Sequence, residues 1–196
     1  EHPTFGLELY RTDGTANGTV LFMDILPGNM SGFTQTNEFA IANNLLFFVA
    51  LDSNFQRKLW RTNGTSAGTI QLGNSIVSNN STLITISNKL IFTASENNSG
   101  EELFVSNGTV IGTRIIQDLT VGSGSTTFRA PRVLNNTLFV HVGFTGTKLY
   151  KTTGDYSSIT PIALVKDYNT ISSSVIYSGR PINIINNKLF IPVFDQ

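Results

Sequence analysis

The sequence lacks cysteine and is poor in charged residues. No Cys occurs among its 196 residues, which excludes a disulfide framework, thiolate metal sites and a cysteine nucleophile. Charged residues make up only 13% and the net charge is zero. We therefore predict neither a nucleic-acid-binding surface nor a polybasic membrane patch. No apolar run approaches the roughly 20 residues of a membrane helix, so we expect no membrane insertion.

A fourfold internal repeat dominates what the sequence does contain. Four segments share a leucine, then an aromatic residue, then a turn-forming Gly: Leu9–Thr15, Leu59–Thr65, Leu103–Thr109 and Leu149–Asp155. Their leucines lie 50, 44 and 46 residues apart. A period of about 40 to 50 residues indicates a β-propeller or a helical array.

Turn chemistry favours the propeller. Each repeat separates two short apolar runs with one of the pairs Asn43-Asn44, Ser87-Asn88, Asn135-Asn136 and Asn186-Asn187. Asn tolerates the positive φ of tight hairpin turns, and the runs are rich in strand-forming residues. We predict four antiparallel strands, A to D, in each repeat. In the second repeat these are Phe39–Ala42, Leu45–Leu51, Arg57–Thr62 and Thr69–Asn74.

The predicted fold is an all-β, four-bladed propeller with four antiparallel strands per blade, in a single domain over residues 1–196. The first residues supply strands C and D of a blade, and the last residues supply its strands A and B, so their pairing would close the ring. The expected blades are 39–75, 83–119, 131–168, and 182–196 joined with 1–25. A slice of a longer array, with five to eight blades, is the alternative. Because residue 1 is Glu and no signal peptide precedes it, we expect a processed product or an excised domain.

The repeat motif resembles a known family. Residues 8–15 with Gly18-Thr19, and residues 58–65 with Gly68-Thr69, are similar to the ELWxxDGT repeat family of bacterial extracellular proteins. The fourth copy departs from the pattern, with Thr153-Gly154-Asp155 in place of Asp-Gly-Thr. The resemblance implies a secreted or cell-surface propeller, often within a larger adhesive protein. It implies no catalytic residues.

Candidate binding residues concentrate on one side of the predicted propeller. The B–C and D–A connections are long and dissimilar, and variable loops on a rigid scaffold commonly carry binding. An acidic column ends the B strands on this side: Asp52, Glu96 and Asp195. It could hold Ca²⁺ or sugar hydroxyls, although these carboxylates more simply cap the backbone of the B–C loops. No calcium-loop motif occurs, so no cofactor is predicted and the metal ligands remain unknown.

The same side carries aromatic and arginine residues. They are Phe55, Phe128, Arg129, Tyr177 and Arg180. Such residues are enriched in binding surfaces, where they stack on sugars or contact proteins. An equally weighted alternative is that the aromatics anchor the loops against the blades.

We therefore predict a non-enzymatic binding or adhesion module whose ligand is a protein or a glycan. Only His2 and His141 occur, and His141 lies within a predicted strand, where a packed role is commoner than a catalytic one. No Ser-His-Asp order or phosphate loop is visible. A lectin-like propeller is the first alternative, and a structural spacer or filament subunit that self-assembles is the second. A hydrolase or lyase acting through the acidic column is the third.

Overall fold

The chain is an all-β protein built from consecutive antiparallel sheets. A computed structural model describes residues 4–34, 39–143, 148–155, 157, 161–168 and 182–192. Within those ranges every regular element is a strand. The predicted fold class is confirmed at this level.

The strands form five sheets in chain order. Sheet 1 pairs β1 (Leu9–Arg11) with β2 (Val20–Met23). Sheet 2 contains β3 (Phe39–Ala42), β4 (Leu45–Leu51), β5 (Arg57–Thr62) and β6 (Ile70–Gln71). Sheet 3 contains β7 (Ile76–Val77), β8 (Ile84–Ile86), β9 (Lys89–Glu96), β10 (Ser99–Ser106) and β11 (Arg114–Gln117). Sheet 4 contains β12 (Phe128–Leu134), β13 (Thr137–Val142), β14 (Lys148–Thr152) and β15 (Ala163–Asp167), and sheet 5 pairs β16 (Asn183–Ile185) with β17 (Lys188–Phe190).

The Asn-rich pairs form the hairpin turns that the sequence predicts. Both residues of each pair have positive φ, for example 51° and 58° at Asn43-Asn44 and 47° and 60° at Asn186-Asn187. Two successive positive φ values match the right-handed twist of the flanking strands. These turns set the register of the first two strands in each repeat, as in the pairing of Ala42 with Leu45.

The Asp-Gly and Asn-Gly turns are held by side-chain hydrogen bonds. Asp13 Oδ1 accepts bonds from the backbone N–H of Thr15 at 2.9 Å and from its hydroxyl at 2.7 Å, and Asn63 and Asn107 repeat the arrangement. A Cβ at Gly18 would lie 1.9 Å from Asp13 Oδ1. This collision explains why Gly follows each of the three turns at a spacing of five residues.

The core consists of layers between successive sheets. Alternate residues of a strand point to opposite faces, so an inner sheet is apolar on both sides. In sheet 3, Phe92 and Phe104 pack toward sheet 2, whereas Ile91 and Val105 pack toward sheet 4. A third layer joins sheet 1 to sheet 2 around Phe33 and Phe48. Arg132 Nε donates to the carbonyl of Ile182 at 2.7 Å and links sheet 4 to sheet 5.

The prediction of a closed four-bladed ring is not borne out at this level. The structure has five sheets, and its two-stranded sheets, 1 and 5, are separate over the described residues. Strand β17 ends at Phe190, whereas β4, β9 and β13 run several residues further. Pro192 follows closely, and proline has no N–H to donate to a ladder. Phe190 is 53% exposed, whereas Phe47 and Ile91 at the equivalent position are buried.

The strands predicted in the second repeat occur with the predicted bounds for A, B and C, and the fourth is shortened to Ile70–Gln71. Residues 76–77 form β7, although the sequence suggests a loop there.

Over the described ranges, no helix is long and apolar enough to cross a membrane.

Candidate functional site

A cavity of about 560 Å³ lies between sheets 3 and 4. Its volume falls within the range of small-molecule binding pockets, roughly 300 to 1,000 Å³. Apolar side chains from both sheets form one part of its wall: Ile91, Leu103, Leu138 and Val140. Polar residues form another part: Asn80, Thr82, Thr93, Glu101, Ser125 and Thr127. The cavity thus combines an apolar base with hydrogen-bonding groups.

Two irregularities of the backbone make room for this cavity. On sheet 3, residues 78–83 leave the ladder between β7 and β8, which both pair with β9. On sheet 4, Ala130 and Pro131 oppose the single residue Val140, which is a β-bulge. Ala130 has φ of 48°, an unfavourable value for a residue with a Cβ. Bulges next to binding sites commonly redirect neighbouring side chains.

The loop that borders the cavity is tied to the adjacent strand. The N–H of Gly100 donates to Gly122 O at 3.2 Å, and the N–H of Thr126 donates to Glu101 O at 2.8 Å. Ser125 Oγ accepts the N–H of Glu101 at 3.0 Å. A Cβ at Gly100 would lie 2.2 Å from Gly124 O, so this close approach requires glycine. The wall formed by residues 125–131 is therefore preorganised by main-chain contacts.

Two predicted binding residues, Phe128 and Arg129, border this cavity. Sequence reasoning missed Glu101 and the hydroxyl residues around them. Glu101 differs from its neighbours only as one of two adjacent glutamates, Glu101-Glu102, at the start of a predicted strand. This pair of adjacent glutamates is the sequence feature that could have pointed to Glu101 as a cavity residue.

Asp52 closes its own hairpin. Its Oδ1 accepts the N–H groups of Asn54 at 2.9 Å and Gln56 at 3.0 Å. Its Oδ2 lies 3.8 Å from Lys58 Nζ. Phe55, at the tip of the same turn, has φ of 57° and is 58% exposed. These contacts agree with the capping interpretation of the acidic residues.

Glu96 is also engaged locally. Its Oε2 accepts the hydroxyl of Ser75 at 2.9 Å, and its carbonyl accepts the hydroxyl of Ser99 at 2.9 Å. Neither Asp52 nor Glu96 borders the cavity. The remaining predicted site residues, Tyr177, Arg180 and Asp195, lie outside the described residues.

Two buried carboxylates bind the loops that follow strand D. Glu8 accepts the N–H of Ile25 at 2.7 Å and that of Gly32 at 2.6 Å. Glu102, at the same place in the third repeat, accepts the N–H groups of Leu119 and Thr120, each at 3.3 Å, and the hydroxyl of Thr126. Burial raises the pKa of both carboxyls, although these hydrogen bonds act in the opposite direction.

Lysines occupy the equivalent place in the other two repeats. Lys58 Nζ donates to Asn74 O at 2.6 Å and is almost fully buried. Lys148 Nζ lies 3.4 Å from Asp167 Oδ2. The sequence shows the alternation Glu8, Lys58, Glu102, Lys148, which suggests pairing between neighbouring blades. The structure shows a different role, since each side chain contacts its own repeat or the loop that follows it.

His141 lies within β13, as the sequence predicts, and only 2% of it is exposed. Burial lowers its pKa, so the imidazole is neutral at neutral pH. Its Nε2 is buried and has no hydrogen-bond partner within the described ranges. In the part of the chain that the structure describes, no three His, Asp or Glu residues group closely enough to hold a metal ion.

Fold and cavity together define a class: an all-β protein of antiparallel sheets with a cleft between two of them. A scan against protein-family models finds no matching family. A search of the curated proteins finds no match either. The resemblance to the ELWxxDGT repeats therefore remains a prediction from the motif residues.

Proposed function

We propose that this protein is a non-enzymatic binding or adhesion module of a secreted or cell-surface protein, with the cavity between sheets 3 and 4 as its binding site. The observation that carries the proposal is the preorganised wall of residues 125–131 beside an apolar base. A rigid wall limits the conformational entropy lost on binding. The cavity lies at the end of the sheets from which the B–C and D–A loops emerge, where the sequence predicts the ligand face.

Carbohydrate is the ligand that the lining favours, and a protein ligand is the alternative. Hydroxyl and amide groups of Asn80, Thr82 and Thr127 can exchange hydrogen bonds with sugar hydroxyls. Phe128 offers an aromatic surface against which the apolar face of a sugar ring can pack. No reaction is proposed, because the sequence contains neither a Ser-His-Asp order nor a phosphate loop.

A glycan array with and without Ca²⁺ tests the proposal. Asn80→Trp would place a bulky ring at the exposed rim of the cavity, and Asn79→Trp is its control because Asn79 is exposed but does not border the cavity. We expect N80W to weaken glycan binding at least about tenfold, which corresponds to about 1.4 kcal/mol, while N79W binds like the wild type. Equal binding by both variants would refute the cavity as the site. Binding that depends on Ca²⁺ would additionally support a metal near the loop face.

The proposal also includes a propeller arrangement in which sheets 1 and 5 join into one blade. Support comes from the strand types. By the repeat alignment β1 is a C strand without a paired B strand, and β17 is a B strand without a paired C strand among the described residues. In sheets 2 and 4 the matching residues pair directly, Phe48 with Trp60 and Val140 with Tyr150. By the repeat alignment, Tyr10 would then lie opposite Ile191.

Paired cysteines test this closure. The chain has no Cys of its own, so a disulfide in Tyr10→Cys/Ile191→Cys can be assigned without ambiguity. We expect an intramolecular disulfide, detected as faster non-reducing gel migration and by peptide mapping. Covalent dimers that form only at high protein concentration would instead favour self-assembly through the same edges. Absence of an intramolecular bond in the double variant would refute closure.

A further inference from the structure

Arg129 and His141 face each other across two neighbouring strands of sheet 4. They form a directly opposed pair in the antiparallel ladder of β12 and β13. Opposed residues in such a ladder project to the same face, with Cβ atoms about 4.5 to 5.5 Å apart. Leu138 and Val140 alternate with His141 and pack against sheet 3, so His141 faces the opposite side, toward sheet 5.

Both side chains carry a buried nitrogen that has no hydrogen-bond partner among the residues that the structure describes. These atoms are Nε of Arg129 and Nε2 of His141. Leaving a buried polar group unsatisfied costs about 1 to 3 kcal/mol, and more for a charged group. Such groups are rare in native proteins and frequently mark a water, an ion or a ligand that binds there.

The surroundings are cationic. Arg132 lies on the same face, opposite Phe139, and its guanidinium donates to the carbonyls of Ile182 and Pro131. Over the described residues, neither Arg129 nor His141 has an ion pair. The neutral imidazole of His141 can carry its proton on Nε2. Nε2 of His141 and Nε of Arg129 can then each donate one hydrogen bond.

The repeats supply an internal control. The position of His141 corresponds to Val49 in sheet 2 and Thr93 in sheet 3. Val49 is buried in the layer between sheets 2 and 3 and needs no polar partner. Packing between sheets therefore does not require a histidine at this position.

We propose that Arg129 and His141 form a binding site for an oxyanion, a carboxylate or sulfate group carried by an acidic saccharide. The proposal rests on the binding function above, but not on occupation of the cavity. The two N–H donors would each reach one oxygen of the group, and Arg129 would supply the charge.

Nuclear magnetic resonance titration tests the proposal, with the side-chain signals of Arg129 and His141 as probes. The ligands are sodium glucuronate, sodium sulfate and neutral glucose, at constant ionic strength. We expect saturable shifts with glucuronate and sulfate and none with glucose. No shift with either anion, or equal shifts with glucose, would overturn the proposal.

Variants separate this site from general charge effects. His141→Val copies Val49, and Arg129→Gln removes the charge while keeping length. Each should weaken glucuronate binding at least about tenfold, because a hydrogen bond to a charged group contributes about 1.5 to 3 kcal/mol. Lys151→Gln removes an exposed charge from the same sheet and should leave binding unchanged. Equal weakening by all three would mean non-specific attraction and would overturn the proposal.

Failure here can be told apart from failure of the binding function. If the array reveals a neutral glycan whose binding N80W weakens, while anions leave both probes unmoved, only the oxyanion site is wrong. If neither the array nor the titration shows binding, the oxyanion site and the carbohydrate ligand are both refuted, and a protein ligand is the alternative that is left. Should His141→Val not fold, Arg129→Gln still gives the required comparison.

Discussion

Gly32 donates its backbone N–H to the buried carboxylate of Glu8 at 2.6 Å, and a Cβ at position 32 would lie 2.8 Å from both carboxylate oxygens. The carboxylate can reach this N–H only because residue 32 has no side chain. One buried charge thereby ties strand β1 to the loop that leads into sheet 2. Glu102 forms an equivalent tie in the third repeat.

Substitution Gly32→Ala should destabilise the protein by about 1 to 3 kcal/mol, because the new methyl group forces the carboxylate away from its donors. Denaturant unfolding measures the change. In a Glu8→Ala background the same substitution should cost less, since the obstructing carboxylate is gone. An equal cost in both backgrounds would show that the contact with Glu8 is not the cause.

Lys58 occupies the position of Glu8 in the second repeat, and reversing its charge should destabilise the protein. Lys58→Glu would place a buried carboxylate beside Asn74 O and Asp52, where Lys58 now donates. Breaking a buried charge contact in this way costs about 3 to 5 kcal/mol, so we expect a strong drop in thermal stability. Lys148→Gln is the control: its side chain is 41% exposed, and an exposed ion pair contributes about 0 to 1 kcal/mol. Similar losses for the two variants would contradict this account.

The raised pKa of Glu102 predicts a dependence of stability on pH. Burial is the main cause, and it favours the protonated form in the folded state. The folded protein therefore binds more protons than the unfolded chain between the ordinary glutamate pKa and the raised one. The contribution of Glu102 to the free energy of unfolding is greatest at pH values below these two pKa values. It falls as the pH rises through them.

Unfolding of wild type and Glu102→Gln across this pH range measures the effect. The variant is expected to be less stable, because its amide nitrogen would face the donors of Leu119 or Thr120. Its disadvantage should shrink as the pH rises, by about 1.4 kcal/mol for each unit by which the pKa is raised. A difference that does not vary with pH would show that Glu102 does not titrate differently in the folded state.

The hairpin turns give a fourth prediction. Asn88 has φ of 60°, which a β-branched residue adopts only at a cost. Asn88→Val should lower the free energy of unfolding by about 1 to 2 kcal/mol, whereas Asn88→Gly should be neutral or slightly stabilising. Thermal unfolding of both variants provides the measurement. A loss as large for glycine as for valine would mean that the Asn88 side chain, rather than its backbone, stabilises the turn.

Local chemistry accounts for the features that the sequence predicts correctly. The Asn pairs specify positive φ, and the Gly residues at 18, 68 and 112 leave room for the Asx turns. These effects act over a few residues, so the strands A, B and C of the second repeat follow from the sequence. Phe128 and Arg129 are identified from the sequence as an aromatic and an arginine residue in a predicted D–A loop, whereas the structure places them at the start of β12.

The rest depends on contacts between distant segments. The cavity exists because the excursion at residues 78–83 meets the bulge at Ala130, and nothing in either segment alone reveals the other. The alternation of Glu and Lys before the repeat leucine is plain in the sequence, yet its role is not. Only the folded chain shows that Glu8, Lys58 and Glu102 are buried and hydrogen-bonded to the backbone of a loop, whereas Lys148 stays partly exposed.

The short antiparallel strands and their tight turns follow from the amino-acid sequence, because turn geometry and strand propensity are local properties of the chain. Tertiary structure alone decided how many sheets form, where they leave a cavity and which polar groups lie buried. Those outcomes depend on side-chain packing and desolvation between residues far apart in the chain, such as Arg132 and Ile182 or Glu8 and Gly32.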